Sequence, residues 1–92
     1  MPSGWEATVA IVYTYGKIAQ YVFGFKCTDE IKLGITYTFT GLIPNRFYPI
    51  DRVPFVNQYA QGYLHNNGNF YMRFTSSTTE TIYIGGIGLL KS

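Results

Sequence analysis

Charged residues are scarce in this sequence. They make up 13% of the 92 residues, whereas soluble proteins average about 25%. A small domain must cover its surface with something polar, so either tyrosine, threonine and asparagine supply that cover or a partner chain hides part of the surface. Nine tyrosines are present, and several predicted strands are apolar on both faces, so we expect both explanations to contribute.

Basic runs and cysteine pairs are also missing. The seven Lys and Arg residues against five Asp and Glu give a net charge of +2, and the basic residues are scattered, which argues against a nucleic-acid partner. Cys27 is the only cysteine, so an intrachain disulfide is excluded, and we interpret it as a small core residue.

Long apolar runs are absent as well. No stretch approaches the roughly 20 residues of a membrane-spanning helix, and the first residues have neither the basic start nor the apolar core of a signal peptide. A chain of this length is expected to form one domain over residues 1–92, with residues 1–4 outside the fold.

Short segments of alternating apolar and polar residues, separated by turn signals, are what the sequence does contain. They predict seven or eight strands and no amphipathic helix, which is typical of an all-β antiparallel sandwich resembling a jelly roll. The predicted strands cover residues 5–13, 18–27, 35–40, 53–60, the two arms of a hairpin over 62–74, 81–84 and 87–90.

The clearest of these signals is the hairpin at Asn67-Gly68. Both residues tolerate the positive φ that a type I′ turn requires. In the arm that follows, alternation puts Phe70, Met72 and Phe74 on one face of the strand. Tyr71 and Arg73 lie on the opposite face.

Other local signals give more detailed expectations. Gly24 predicts a bulge or a close backbone approach within its strand. Ile35, Tyr37 and Phe39 are expected to face the core. Residues 41–54, with three prolines, predict an extended loop that crosses between two sheets, with edge pairing near residues 47–50. Asp29-Glu30 is expected to start a short helical turn, and Gly85-Gly86 to kink the last strand.

No catalytic or metal-binding pattern stands out. His65 is the only histidine, and beside a hairpin turn it is expected to be an ordinary solvent-facing residue. No spacing selects a pair among the acidic residues, and Cys27 and Asp29 have no further ligand nearby. Residues 85–88 are no phosphate loop, because no lysine or helix follows. We therefore expect no enzyme activity, no cofactor and no metal.

A binding surface is the remaining possibility. Aromatic faces and planar polar groups hold sugars, and tyrosine and tryptophan give large contact areas with few torsions to freeze. The candidate ligand-binding residues lie in or near the long loop and at the chain start: Tyr48, Arg46, Trp5, Arg52 and Asp51. The alternative is that Tyr48 and Trp5 only close the ends of the sandwich.

Several of these segments together resemble the C-terminal β-domain of tail-fibre and baseplate proteins (receptor-binding or upper-baseplate) of phages that infect Gram-positive bacteria. The similarity covers most of the chain and lies in turn and core residues. It rests on Leu42-Ile43-Pro44, Phe47-Tyr48-Pro49, Val53-Pro54-Phe55, Gly62-Tyr63-Leu64, the segment 67–72, the strand after Thr81 and the early hairpin over 15–25. The closing segment 85–90 is also faintly similar to the last strand of C1q-like and tumour-necrosis-factor-like jelly rolls.

This resemblance implies a homotrimer in the virion that attaches the phage to a host-surface saccharide. Two alternatives stay open: a structural domain that trimerises a fibre and docks another baseplate protein, and a monomeric carbohydrate-binding module. No shaft or coiled-coil repeat is present, so the chain is expected to be a fragment of a fibre protein or a stand-alone subunit.

Overall fold

The computed structural model describes residues 4–78 and 80–91, and expectations that fall on residues 1–3, 79 and 92 lie outside the described part. Seven strands and one short 3₁₀ turn make up the regular structure, and they form the antiparallel sandwich predicted from the sequence. In chain order the strands are β1 (Trp5–Tyr15), β2 (Ile18–Cys27), β3 (Thr36–Phe39), β4 (Val53–Val56), β5 (Ala60–Leu64), β6 (Phe70–Phe74) and β7 (Ile82–Leu89), with the 3₁₀ turn at Asn45–Phe47.

Two antiparallel sheets face each other. Sheet A has the order β1-β2-β7, and sheet B has the order β3-β6-β5-β4. The chain changes sheet between β2 and β3 and again between β6 and β7. The long loop over residues 41–54 joins β3 to β4, the two edges of sheet B, so the prediction that it crosses between sheets is wrong. Its predicted edge pairing is confirmed by a bridge between Pro49 and Leu90.

Aromatic rings fill the space between the sheets. Three aromatic residues of β2 lie on its core side and are fully buried: Tyr21, Phe23 and Phe25. Phe70 from sheet B lies among these rings, with its centroid 5.3 Å from Phe23 and 5.7 Å from Phe25 in a stacked arrangement. Cys27 is half-buried and packs against the same cluster, in line with its predicted role.

A bulge does lie beside Gly24, but its extra residue belongs to the neighbouring strand β1, and the atoms that come close to Gly24 are side-chain rather than backbone atoms. The β1–β2 register shifts between Ala7 and Val9, opposite Gly24, which is a bulge on the partner strand. A Cβ on Gly24 would lie 3.0 Å from the Tyr83 ring and 2.8 Å from the Thr8 hydroxyl. The glycine therefore lets the Tyr83 ring cross close above the strand.

The hairpin between β5 and β6 is present, but its turn differs from the expected type I′. Gly68 alone has a positive φ, of 84°, whereas Asn67 stays in the ordinary region. The Gly68 amide donates to the His65 carbonyl, and the His65 amide donates to the Asn69 carbonyl. This is the three-residue loop that ends with a left-handed glycine. The side chain of Asn67 accepts a bond from the Asn69 amide, which favours this longer turn.

Four further expectations are corrected. Ile35 precedes β3 and is 48% exposed, beyond the edge of the core. Thr28 and Asp29 form a bend and no helical turn starts at Asp29-Glu30. The expected strand 53–60 ends at Val56, because Asn57 Oδ1 accepts the amides of Tyr59 and Ala60 and turns the chain. β7 runs unbroken through Gly85-Gly86, since it stays paired with β2 throughout.

Tyr21 gives the fold a dependence on alkaline pH. Its hydroxyl donates a 2.7 Å hydrogen bond to the Phe47 carbonyl, and burial raises its pKa above the ordinary value of about 10. Below that value both folded and unfolded states hold the proton and the contribution to stability is complete. As pH rises through the folded-state pKa, the unfolded state loses its proton first and stability falls.

We expect Tyr21→Phe to lose about 1 kcal/mol of unfolding free energy near pH 7, through the missing hydrogen bond. Above pH 10 its stability should fall less steeply than that of the wild type. Urea unfolding at a series of pH values checks this, with the exposed Tyr83→Phe as control. If the unfolding free energy of Tyr21→Phe and of the wild type fell equally steeply with pH, Tyr21 would not be the source of the alkaline pH dependence.

Candidate functional site

The loop that carries Arg46 and Tyr48 is held firmly by backbone contacts. In the 3₁₀ turn the amide of Phe47 donates to the Pro44 carbonyl and that of Tyr48 to the Asn45 carbonyl. Arg46 is exposed, and its guanidinium lies 4.7 Å from the centre of the Phe47 ring. The backbone carbonyl of Phe47 accepts a hydrogen bond from the buried Tyr21 hydroxyl, so the turn is anchored to the core.

Tyr48 is half-buried and connects this loop to the β5–β6 hairpin. Its carbonyl accepts the Lys91 amide, and a Cβ on Gly68 would collide with its ring. The ammonium of Lys91 donates to the Asn66 carbonyl in the same hairpin. The Tyr48 ring therefore packs against the hairpin, which fits the alternative interpretation that Tyr48 closes an end of the sandwich.

Trp5 lies inside the sandwich. It is 8% exposed, and its ring centroid is 5.1 Å from Tyr37, 5.5 Å from Phe39 and 5.2 Å from Phe74. A tryptophan enclosed by three rings offers no face to a sugar. Trp5 is therefore corrected from a candidate ligand contact to a residue that closes one end of the core.

Arg52 lies beside a different surface, the outer face of sheet B. Asp51 and Arg52 are both exposed just before β4, and the Arg52 guanidinium lies 4.9 Å from the centre of the Tyr63 ring. Tyr63 belongs to β5 and is 44% exposed. The contact places Arg52 at the border of the outer face of sheet B.

Side chains that alternate away from the core build this outer face. Cross-strand partners in an antiparallel sheet share a face, and Tyr63 is paired with Tyr71, and Gln61 with Arg73. The His65 ring stands edge-on to Tyr71 at 4.7 Å and to Tyr63 at 6.5 Å. We call this surface the aromatic platform; it comprises Arg52, Gln61, Tyr63, His65, Tyr71 and Arg73.

A shallow cavity of about 230 Å³ opens on the platform between Tyr63 and Tyr71. Thr36, Gln61 and Arg73 line its sides, and the strand backbone at Gly62 and Met72 lines it as well. Pockets that enclose a small molecule usually measure about 300–1,000 Å³. This cavity therefore suits a ligand that lies across the surface and inserts one group.

Two larger cavities lie at the β6–β7 end of the molecule. One, of about 450 Å³, is lined by Asp29, Glu30 and Glu80 together with Ile31, Ser77 and Thr78. The other, of about 390 Å³, lies between residues 57–59 and 80–83. Within residues 4–78 and 80–91, no group of three or more His, Cys, Asp or Glu side chains is arranged to hold a metal ion.

Of the residues predicted as a site, the structure brings only Arg52 onto the platform. The main platform residues Tyr63, Tyr71, Gln61 and Arg73 were not predicted as a site. A signal for them was nevertheless present. Alternation in the hairpin puts Tyr71 and Arg73 on the face opposite the core, and the hairpin pairing then places Tyr63 beside Tyr71.

No protein-family model matches this sequence, and comparisons with curated proteins and with solved structures give no match either. In the part of the chain that the structure describes, no helix combines the length and the apolar character needed to cross a membrane.

Proposed function

We propose that this chain is a non-enzymatic attachment module that binds a saccharide on the host surface, as the resemblance to phage tail-fibre and baseplate domains implies. The observation that carries the proposal is the aromatic platform on sheet B. It combines the exposed ring of Tyr63 and the half-buried ring of Tyr71 with planar polar groups, and these side chains lie on the face of sheet B opposite the core.

The chemistry of the platform matches that of a sugar. A pyranose ring has an apolar face of C–H groups, which packs on an aromatic face, and a rim of hydroxyls that need hydrogen-bond partners. Gln61 supplies an amide with both donors and an acceptor, and Arg73 supplies a fixed fork of donors. Both line the cavity beside Tyr63 and Tyr71.

The platform is also organised in advance of binding. Tyrosine has only two side-chain torsions to freeze. The Arg52 guanidinium contacts the Tyr63 ring, and the His65 ring contacts the Tyr71 ring. Because these neighbours restrict both tyrosines, less conformational entropy is lost when a ligand binds.

A glycan array tests the proposal. The wild-type chain should bind one class of glycan, and Tyr63→Ala and Tyr71→Ala should each weaken that binding roughly tenfold or more, as expected for residues at the centre of an interface. Arg46→Ala is the matched control, because Arg46 is exposed, belongs to the 3₁₀ turn between β3 and β4, and is not one of the platform residues.

Loss of binding in Arg46→Ala but not in the tyrosine variants would move the site to the loop around Tyr48. An array without any binding, together with co-purification of a baseplate protein, would favour the alternative function of a structural docking domain. The array should contain neutral glycans and also glycans that carry phosphate or carboxylate groups. Arg52 and Arg73 can form ion pairs with both phosphate and carboxylate.

A further inference from the structure

Strand β1 forms one edge of sheet A and is long and regular there. After the bulge, its pairing with β2 continues in unbroken register from Val9 to Tyr15, and sheet A has no further strand on the other side of β1. This stretch contains no charged residue, no proline and no glycine. Edge strands are usually kept short or interrupted by lysine, proline or a bulge, because their unpaired backbone groups attract another strand. The stretch from Val9 to Tyr15 has none of these protections within it.

The other strand edges of the two sheets are protected. β3 and β4 span only four residues each, and β4 contains Pro54. On β7, the Leu89 carbonyl accepts the Ile50 amide, and the Tyr83 carbonyl accepts the side-chain amide of Asn57. Within residues 4–78 and 80–91, β1 is therefore the long edge that the rest of the chain leaves uncovered.

The geometry of the ladder determines which backbone groups of β1 point off the edge. Gly16-Lys17 is a two-residue hairpin loop with a φ of 61° at its glycine, so the Tyr15–Ile18 pair that closes it is hydrogen-bonded. Bonded and non-bonded pairs alternate along antiparallel strands. The amides and carbonyls that point away from β2 therefore belong to three alternate residues, Ala10, Val12 and Thr14. Among the described residues, no loop or further strand bonds to these six groups.

This free edge is complementary to the same edge of a second copy. If two β1 strands pair antiparallel about Val12, every outward amide meets an outward carbonyl, because Val12 faces Val12 and Ala10 faces Thr14 of the other copy. Ala10 and Thr14 are exposed, so there is room beside them. Val12 is half-buried against the core, and its remaining exposed part meets the other copy. The same register sets Ile11 opposite Tyr13, an aliphatic–aromatic pair of the kind that stabilises antiparallel sheets.

The charges at the two ends of β1 favour this antiparallel arrangement. The uncharged stretch lies between Glu6 and Lys17, which are both exposed. Antiparallel pairing places Glu6 of one copy beside Lys17 of the other, once at each end, so that opposite charges meet. A parallel arrangement would bring like charges together.

The geometry of this pairing also determines the number of copies. Two strands that pair antiparallel with themselves are related by a two-fold axis, and the contact uses the same edge of both copies. Once both edges are occupied, a third copy has no β1 edge to join. We propose that two copies of this chain associate through β1 and form one continuous six-stranded sheet.

Light scattering coupled to size-exclusion chromatography tests the dimer. At about 100 µM, well above the Kd of a micromolar complex, the wild-type chain should elute near twice the 10.4 kDa mass of one chain. Ile11→Lys and Thr14→Lys place a charge on opposite faces of the β1 edge, and each should reduce the mass to that of one chain. Both positions are exposed, and circular dichroism checks that both variants keep the native β-structure.

Ile87→Lys is the matched control. Ile87 is exposed on the outer face of the same sheet, but it belongs to β7, which β2 separates from β1, so this variant should stay dimeric. Hydrogen exchange gives a second readout. The outward amides of Ala10, Val12 and Thr14 should exchange roughly tenfold more slowly in the wild-type dimer than in Ile11→Lys, whereas the amides bonded to β2 should be protected in both.

Several results would overturn the proposal. These are a wild type that elutes as one chain or as three or more, a dimer that survives both β1 substitutions, and fast exchange of the three outward amides in the wild type. Loss of the dimer in Ile87→Lys would also overturn it, because the contact would then lie on the outer face of sheet A and not along the β1 edge.

Discussion

Replacing Phe70 by alanine is expected to lower the free energy of unfolding by about 3–5 kcal/mol, the usual cost of removing a buried phenylalanine. Phe70 is fully buried. Its ring centroid lies 5.0 Å from Phe55, 5.3 Å from Phe23 and 6.1 Å from Phe39. It touches rings from both sheets, so the cavity left behind opens at the middle of the core and cannot collapse without moving both sheets.

Urea unfolding of all variants at one fixed protein concentration measures this loss. Phe70→Leu keeps most of the volume and should cost less than Phe70→Ala. Val56→Ala, at an exposed position, should stay within about 0.5 kcal/mol of the wild type. A Phe70→Ala variant as stable as Val56→Ala would show that Phe70 is not the centre of the core.

The second large effect is expected at Gly62, in the middle of sheet B. A Cβ there would collide with the Tyr71 carbonyl and would lie only 3.0 Å from Met72 Cα. These are backbone atoms of the neighbouring strand, so no side-chain rotation relieves the contact. Gly62→Ala should cost about 3 kcal/mol of unfolding free energy, at the upper end for overpacking.

Gly16→Ala separates this steric effect from backbone strain. Gly16 has a φ of 61° and open space around its Cβ position, so alanine there meets only the cost of the left-handed conformation, about 1 kcal/mol. Thermal and urea unfolding of both variants should rank Gly62→Ala as clearly less stable. Equal losses would mean that β5 and β6 can move apart easily at this point.

Much of the sandwich could be predicted because period-two patterns reflect burial directly. The inward residues of β2 and of β6 recur at every second position, and both rows are core. Turn geometry was harder to predict. Asn67-Gly68 fits two kinds of hairpin loop, and the choice depends on the Gly68–His65 and His65–Asn69 bonds, which need the paired strands to exist first.

Glycine was misread for a related reason. Gly85-Gly86 in β7 suggested a kink. Gly86 and the nearby Gly88 instead lie where Phe55 and Val53 of the opposite sheet occupy the space that a Cβ would need. A contact between sheets leaves no trace in the local pattern. The same holds for Trp5, whose burial depends on rings that follow it by more than 30 residues.

The platform could be only partly predicted. Alternation shows that Tyr71 faces away from the core, but most of its neighbours on that face come from β5 and from loops elsewhere in the chain. Pairing brings Tyr63 and Gln61 beside it and beside Arg73, and the chain before β4 brings Arg52 over Tyr63. A candidate list drawn from the long loop and the chain start could not include residues that only the sheet register brings together.

The central claim is that sheet B presents the ligand-binding surface. The most direct test is an NMR titration of the ¹⁵N-labelled chain with the best-binding glycan from the array. The amide signals of Gln61, Tyr63, Tyr71 and Arg73 should shift progressively and saturate together, while those of Arg46 and Tyr48 stay in place. Shifts confined to the loop around Tyr48, or to the strands of sheet A, would contradict the account.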